Sequence, residues 1–355
     1  MTAADQTQQD EAQQPKKLFN PEGNDTVSDR TIIKGETTGL MNLNNAKYSW
    51  AKSMYQTMMG NFWVPEKISG LNDDAIQYKQ KLTDDERDVY DGILSFLIFL
   101  DSLQTSNLPN FSEYITAPEV NLLMAIQTYQ EAIHSQSYAT ILEAVVDSRK
   151  REAIYYYWRD DAIMLERNQY IGQLYQNFVD NPSDENFFRG IIANFLLEGL
   201  YFYNGFAFFD GLADRAMMVA TQRMINYIRR DELTHVVMFA NIIKAIKQEF
   251  PEMFNEKIIY EMFETAVQQE EKFSCHIIRN RIMGMNDETI HDYTRYLANL
   301  RLQMIGLEPL YPEITSNPYK HLERLQDNNS EKSNFFESTV TNYTQSSSMK
   351  GTWEF

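Results

Sequence analysis

Glu131 and His134 stand three residues apart in TYQEAIHSQSY, and Glu232 and His235 repeat that spacing in RRDELTH. Both stretches read as helix, where residues three apart project from one side. Each segment can therefore offer a carboxylate oxygen and an imidazole nitrogen to one ion, and two such segments form half a cage for a pair of ions. Tyr138 follows His134 by four residues and falls on the same face one turn along. A phenol placed there, beside bound metals, can be oxidised.

A single Glu-x-x-His on a helix is commonly a surface pair, so it is the recurrence that points to metal. Oxygen-activating two-metal sites in helical bundles use carboxylates to neutralise and bridge the ions and histidines to leave positions open. The recipe for such bundles asks for one further carboxylate from each of two other helices. Asp101 in FLIFLDSLQ and Glu198 in NFLLEGLYFY both follow apolar runs, where an ionised carboxylate needs compensation. Facing the ions would supply it to both. Phe202, Phe206 and Ile228 share helix faces with these ligands and are expected to wall the site, which ordinary core packing would also require of them. His276, His291 and His321 lack such context and read as structural or exposed.

The elements that must hold these residues are helical. In 355 residues, 43% are hydrophobic and 13% aromatic, with only 14 glycines and 10 prolines, which suits a helical core better than a many-turned β architecture. Helical periodicity runs over about 48–60, 84–107, 118–147, 151–180, 185–211, 213–248, 256–283 and 287–304. Thr83 before DDER and Asn286 before DETI read as caps, Pro118 sits in a first turn, and Pro251 separates two helices. Helices this long favour a single bundle with a buried centre.

Charge and cysteine usage narrow the class. A net charge of −18 without a sizeable basic patch argues against nucleic acid or anionic lipid as partner. Cys275 is the only cysteine, so neither an internal disulfide nor a thiolate cluster is available, and the cytoplasm is the expected compartment. The apolar stretch 194–209 is too short for a membrane span and contains Glu198, so it reads as buried helix. Residues 1–17 are polar and Gln-rich, a composition expected to form a disordered arm, and 18–326 form the expected main domain. Residues 327–355 turn polar again but keep Phe335, Phe336, Tyr343, Trp353 and Phe355, the pattern of a flexible tail that docks.

Together these segments resemble the small, radical-generating (β) subunit of class I ribonucleotide reductase, within the ferritin-like superfamily. LDSLQ at 100–104, EAIHSQSY at 131–138, LLEGLYFYNGF at 196–206 and RRDELTH at 229–235 are similar to that family's four ligand segments, in order. NFWVPE at 61–66 resembles its segment bearing a relay tryptophan, and NFFESTVTNY at 334–343 resembles its tail. The resemblance implies an all-α ferritin-like bundle in which Asp101, Glu131 and His134 bind one metal and Glu198, Glu232 and His235 the other, with bridging carboxylates shared. Tyr138 then matches the radical-bearing position. Trp63, Asp231 and His134 match the relay toward the surface, and Tyr343 the tail tyrosine that hands the radical to the large (α) subunit. Asp231 has an independent reason to be there, because a metal-bound imidazole usually donates its other nitrogen to a carboxylate.

The implied activity is ribonucleoside-diphosphate reduction, with this chain supplying the oxidising equivalent to the large subunit. The sequence carries no phosphate-cradling glycine loop. Hard ligands suit iron and manganese alike. Diiron with a tyrosyl radical is the first expectation and dimanganese the second, while retained Tyr138 disfavours a manganese–iron pair that stores the equivalent on metal. A homodimer is expected from apolar residues on outer helices. The rival readings are another ferritin-like dimetal oxidase, such as a desaturase or ligand-binding oxidase, and an iron-storage protein; neither needs a Trp63 relay or a Tyr343 tail.

Overall fold

The structure, a computed structural model, describes residues 14–326. Among these residues there is no strand, only isolated bridges such as Ile33 with Ile115. The helices are α1 (Ser49–Gly60), α2 (Leu71–Gln80), α3 (Asp84–Ser112), α4 (Pro118–Val145), α5 (Ser148–Asp160), α6 (Ala162–Asp180), α7 (Asp184–Leu196), α8 (Tyr203–Asp214), α9 (Val219–Glu249), α10 (Glu256–Ile278), α11 (Asp287–Met304) and the short α12 (Glu323–Gln326). A π-helical turn, Leu197–Tyr201, joins α7 to α8. Helix α3 packs chiefly on α4, α8 on α9, and α7 and the π turn on α9, so α3, α4, the π turn with its flanking helices and α9 surround the centre. The all-α bundle expected from periodicity is the one observed.

Local sequence explains most boundaries. Thr83 and Glu86 form a capping box at the start of α3, and Asn286 and Thr289 do the same for α11, each satisfying otherwise orphaned N–H groups. Helix α3 runs on to Ser112 through Pro109, beyond its expected end near 107. Phe111 carries it there, buried against Tyr175, Phe178 and Phe187.

Three expectations are corrected. The helix expected over 151–180 is two, because Asp161 adopts an extended conformation and its carboxylate accepts from the N–H groups of Ile163 and Met164, capping α6. The helix expected over 185–211 is interrupted by the π turn at Glu198. Helix α2 was not anticipated, since LNDDAIQYKQ is short and polar. Its Asp74 turns inward and accepts from Thr221 N (2.6 Å) and Thr221 Oγ1 (2.7 Å), capping α9 from another helix. Met218 at the α9 N-cap offers no side-chain bond of its own, so α2 anchors the helix that bears Glu232 and His235.

The segment before α1 is tied to the bundle. Arg30 pairs with Glu119 at 2.9 Å with both side chains buried, and the Ile32 N–H donates to Glu249 Oε2 at 2.8 Å. Even Lys16, inside the stretch expected to be an arm, donates its backbone N–H to the Glu113 carbonyl at 2.8 Å. The tail residues Phe335, Phe336, Tyr343, Trp353 and Phe355 lie outside the described residues.

Candidate metal centre

Asp101 comes from α3, Glu131 and His134 from α4, Glu198 from the π turn, and Glu232 and His235 from α9. All six are 0% exposed. Their ligand atoms form two overlapping groups, Asp101, Glu131, His134 and Glu232 in one and Glu131, Glu198, Glu232 and His235 in the other, with the atoms of each within 4.8 Å of one another. The shared members are the two Glu-x-x-His carboxylates. Glu131 directs Oε2 to His134 Nδ1 (3.3 Å) and Oε1 to His235 Nδ1 (3.2 Å). Glu232 mirrors it, with Oε1 3.0 Å from His134 Nδ1 and Oε2 3.1 Å from His235 Nδ1. Asp101 Oδ2 lies 3.8 Å from His134 Nδ1, and Glu198 Oε2 3.1 Å from His235 Nδ1, so each closes one end.

The electrostatics of this cluster suit bound cations. Burial and the charge of Glu131 push the Asp101 carboxyl well above its ordinary value, and burial with the charges of Glu131 and Glu198 does the same to Glu232. Burial also works against ionised Glu131, but the close imidazoles of His134 and His235 bring it down to about 2. Burial opposes a charged His134, yet its bonds to Asp231 and Glu131 carry it up to about 10. Four buried carboxylates thus compete for protons and for two imidazoles. Both oxygens of Asp101, Oε1 of Glu131 and Oε1 of Glu232 have no hydrogen-bond partner. Orphaned acceptors converging with imidazole nitrogens fit a pair of hard divalent ions, which would meet those lone pairs without protonation.

The second nitrogens of the histidines are also assigned. His134 Nε2 is 3.5 Å from Asp231 Oδ2, and His235 Nε2 is 3.0 Å from Gln130 Oε1. These contacts orient the rings so that Nδ1 faces inward. Trp63 completes the first chain: its indole N–H donates to the same Asp231 oxygen at 2.7 Å, and its ring stacks at 6.4 Å from His134. On its outer side Trp63 stacks on Tyr227 at 5.1 Å. Tyr138 is fully buried with its hydroxyl beside Asp101, and burial plus the charges of Asp101 and Glu232 keep the phenol protonated far above its ordinary range. Tyr343 lies outside the described residues.

Sequence reasoning missed the amides around Glu198. Its Oε1 accepts from Gln104 Nε2, from Gln127 Nε2 (2.8 Å) and from Asn194 Nδ2 (3.4 Å), while the Tyr175 hydroxyl donates to Gln104 Oε1 at 2.7 Å. A usable signal existed. Gln104 follows Asp101 by three residues, Gln127 precedes Glu131 by four, and Asn194 precedes Glu198 by four, all helical same-face spacings inside apolar surroundings. Phe202, Phe206 and Ile228 are fully buried, as their faces implied. His276 bonds Asp161 at 2.7 Å and His291 lies 3.6 Å from Cys275, both far from this chemistry in role.

A four-helix bundle with paired Glu-x-x-His motifs and two outer carboxylates defines the carboxylate-bridged dimetal class of ferritin-like proteins. Comparison with known proteins narrows this. Residues 40–318 match the family described as ribonucleotide reductase, small chain, and the chain belongs to that family. It is 41% identical over 341 residues to the ribonucleoside-diphosphate reductase subunit beta of Treponema pallidum, covering 95% of this chain and 97% of that one. The ribonucleotide reductase R2 subunit from Clostridium botulinum superposes with a TM-score of 0.86 at 46% identity, covering 89% of this chain and 99% of that one. The dimanganese(II) NrdF of Streptococcus sanguinis shares the fold, with a TM-score of 0.72 at 21% identity over 81% of this chain and 98% of that one. Family membership sets aside the desaturase, ligand-binding oxidase and iron-storage readings. Among the described residues no helix is long and apolar enough to cross a membrane.

Proposed function

We propose that this chain, as the small subunit of a ribonucleoside-diphosphate reductase, generates an oxidising equivalent at the six-ligand centre, stores it on Tyr138 and passes it to a separate large subunit. The observation that carries the proposal is the continuity of the site: ligands, Tyr138, His134, Asp231 and Trp63 form one buried chain leading outward. Bound to Asp101, Glu131, His134, Glu198, Glu232 and His235, a redox-active metal pair supplies the oxidant. The protein's own residues do the rest. Tyr138 gives up an electron together with its hydroxyl proton, for which Asp101 is the adjacent carboxylate. The apolar walls slow quenching of the resulting phenoxyl radical. Asp231 holds both the Trp63 N–H and His134 Nε2, so charge displaced along the chain stays hydrogen-bonded.

Iron is the metal we propose first, with dimanganese second; retained Tyr138 argues against a manganese–iron pair. The tail 327–355, carrying Tyr343, would dock on the large subunit with Trp353 and Phe355 as aromatic anchors, and the small subunit would act as a homodimer. A cytoplasmic location fits the single cysteine. The test is metal analysis combined with electron paramagnetic resonance after loading with iron, manganese or both. A coupled dinuclear centre is expected, with a tyrosyl signal that Tyr138→Phe removes. No coupled signal after any loading would overturn the proposal.

A further inference from the structure

Arg301, on α11, is 4% exposed and pairs with no carboxylate among the described residues. A buried guanidinium without an acid is rare enough to need a reason. Its partners here are the Gly199 carbonyl, which accepts from Nε at 3.0 Å, the ring of Tyr203 at 5.0 Å and Met304 Sδ at 3.6 Å. Gly199 directly follows Glu198, inside the π turn. A π turn widens the helix and weakens the local carbonyl-to-amide ladder, which is why such turns persist mainly where a function holds them. A second buried guanidinium, Arg167, donates to the Tyr201 carbonyl at the end of the same turn at 2.6 Å.

Gly199 and Arg301 are matched. A Cβ on Gly199 would sit 3.1 Å from Arg301 Nε and 3.2 Å from its Cδ, so even alanine there presses the arginine side chain to shift by a few tenths of an ångström. At the other end of the Glu198 side chain, Gln104, Gln127 and Asn194 hold Oε1 outward, leaving Oε2 toward His235. The carboxylate is thus restrained at its tip by amides and at its root by arginine.

We infer that Arg301 is a positioning residue for Glu198: by holding the Gly199 carbonyl it keeps the π turn in the register that presents Oε2 to the ion beside His235. The inference rests on the proposed metal centre and specifies which ion depends on which helix. It is tested by titrating the whole chain with Mn(II) alone, following free Mn(II) by paramagnetic resonance, with thermal melts by circular dichroism. The wild type is expected to take up a pair of ions. R301M should keep one ion at wild-type affinity and bind the other about 10–100-fold more weakly, the usual effect of losing an outer-shell partner. R301K, which can still donate to the carbonyl, should recover most of that loss. G199A, which crowds the guanidinium from the other side, should show the same one-ion defect. If R301M does not fold, G199A and R301K decide the matter. Wild-type uptake of both ions by R301M and G199A would overturn the inference, as would equal weakening of both ions. A wild-type chain that binds no pair would overturn the metal reading itself.

Discussion

Replacing Trp63 by Phe separates the proposed relay from the proposed metal centre. Trp63 is 7% exposed and its indole N–H is the shortest contact to Asp231 Oδ2, at 2.7 Å. Asp231 keeps other partners, Arg230 Nη2 at 3.2 Å on Oδ1 and His134 Nε2 at 3.5 Å on Oδ2, so the loss belongs at the low end for a hydrogen bond to a charged group, about 1.5 kcal/mol. The smaller ring leaves part of the indole volume unfilled, about a further 1 kcal/mol. A total near 2–3 kcal/mol is tolerable against a domain stability of about 5–15 kcal/mol, and a phenyl ring can still stack on Tyr227. The six ligands are untouched, so W63F should fold, take up its ions and form the Tyr138 radical. It should nevertheless lose nucleotide reduction with the large subunit by more than about 100-fold, equivalent to about 2.7 kcal/mol, because phenylalanine neither oxidises readily nor donates to Asp231. The assay pairs urea unfolding and ion uptake with turnover of a ribonucleoside diphosphate. A variant that loads normally yet keeps more than about a tenth of wild-type turnover would refute the relay.

Truncation before Asp327 should leave ion uptake and the Tyr138 signal intact while abolishing turnover with the large subunit; undiminished turnover would remove the tail from the mechanism. Glu270→Leu should destabilise the fold by about 3–5 kcal/mol in urea unfolding, because Arg167, 1% exposed and enclosed by the rings of Phe96, Tyr201 and Phe273, loses its only acid partner among the described residues. The double variant R167M/E270L should recover much of that loss, and a double variant no better than E270L would contradict the reasoning. Burial lifts Asp91 to about 6, against the hydrogen bond from Tyr78 and the charge of Lys150. The folded carboxyl then holds its proton more tightly than the unfolded chain does near 3.9, so stability falls as pH rises from about 4 to 6 and is level above. D91N should remove that slope and gain about 1–3 kcal/mol on the wild type at pH 7 relative to pH 4, whereas parallel pH profiles would show that the carboxyl is not strained by burial.

How much of the centre was legible depended on whether a contact follows helical periodicity. The cluster of candidate ligands was readable because Glu-x-x-His spacing is set by the helix repeat and because Asp101 and Glu198 stand out as acids in apolar runs. The amide cradle of Glu198 obeyed the same periodicity, but a glutamine or asparagine in a core carries no charge penalty, so the same-face spacing of Gln104 and Gln127 stood out far less than that of the acids. Helix α2 was hidden for the opposite reason. Its polar sequence gives little amphipathic signal, and its value lies in Asp74 reaching across to cap α9.

The sequence by itself determined an all-helical chain carrying six candidate metal ligands, a phenol one turn away and an indole far upstream. Those conclusions rest on local spacing and on the cost of burying charge, which are properties of neighbouring residues. Tertiary structure alone decided that Glu131 and Glu232 each face both histidines, that Asp231 is shared between Trp63 and His134, and that the helix bearing Glu198 opens into a π turn against Arg301. Each of those joins residues distant in the chain, and hydrogen-bond geometry across helices depends on packing angles and register that no local pattern encodes.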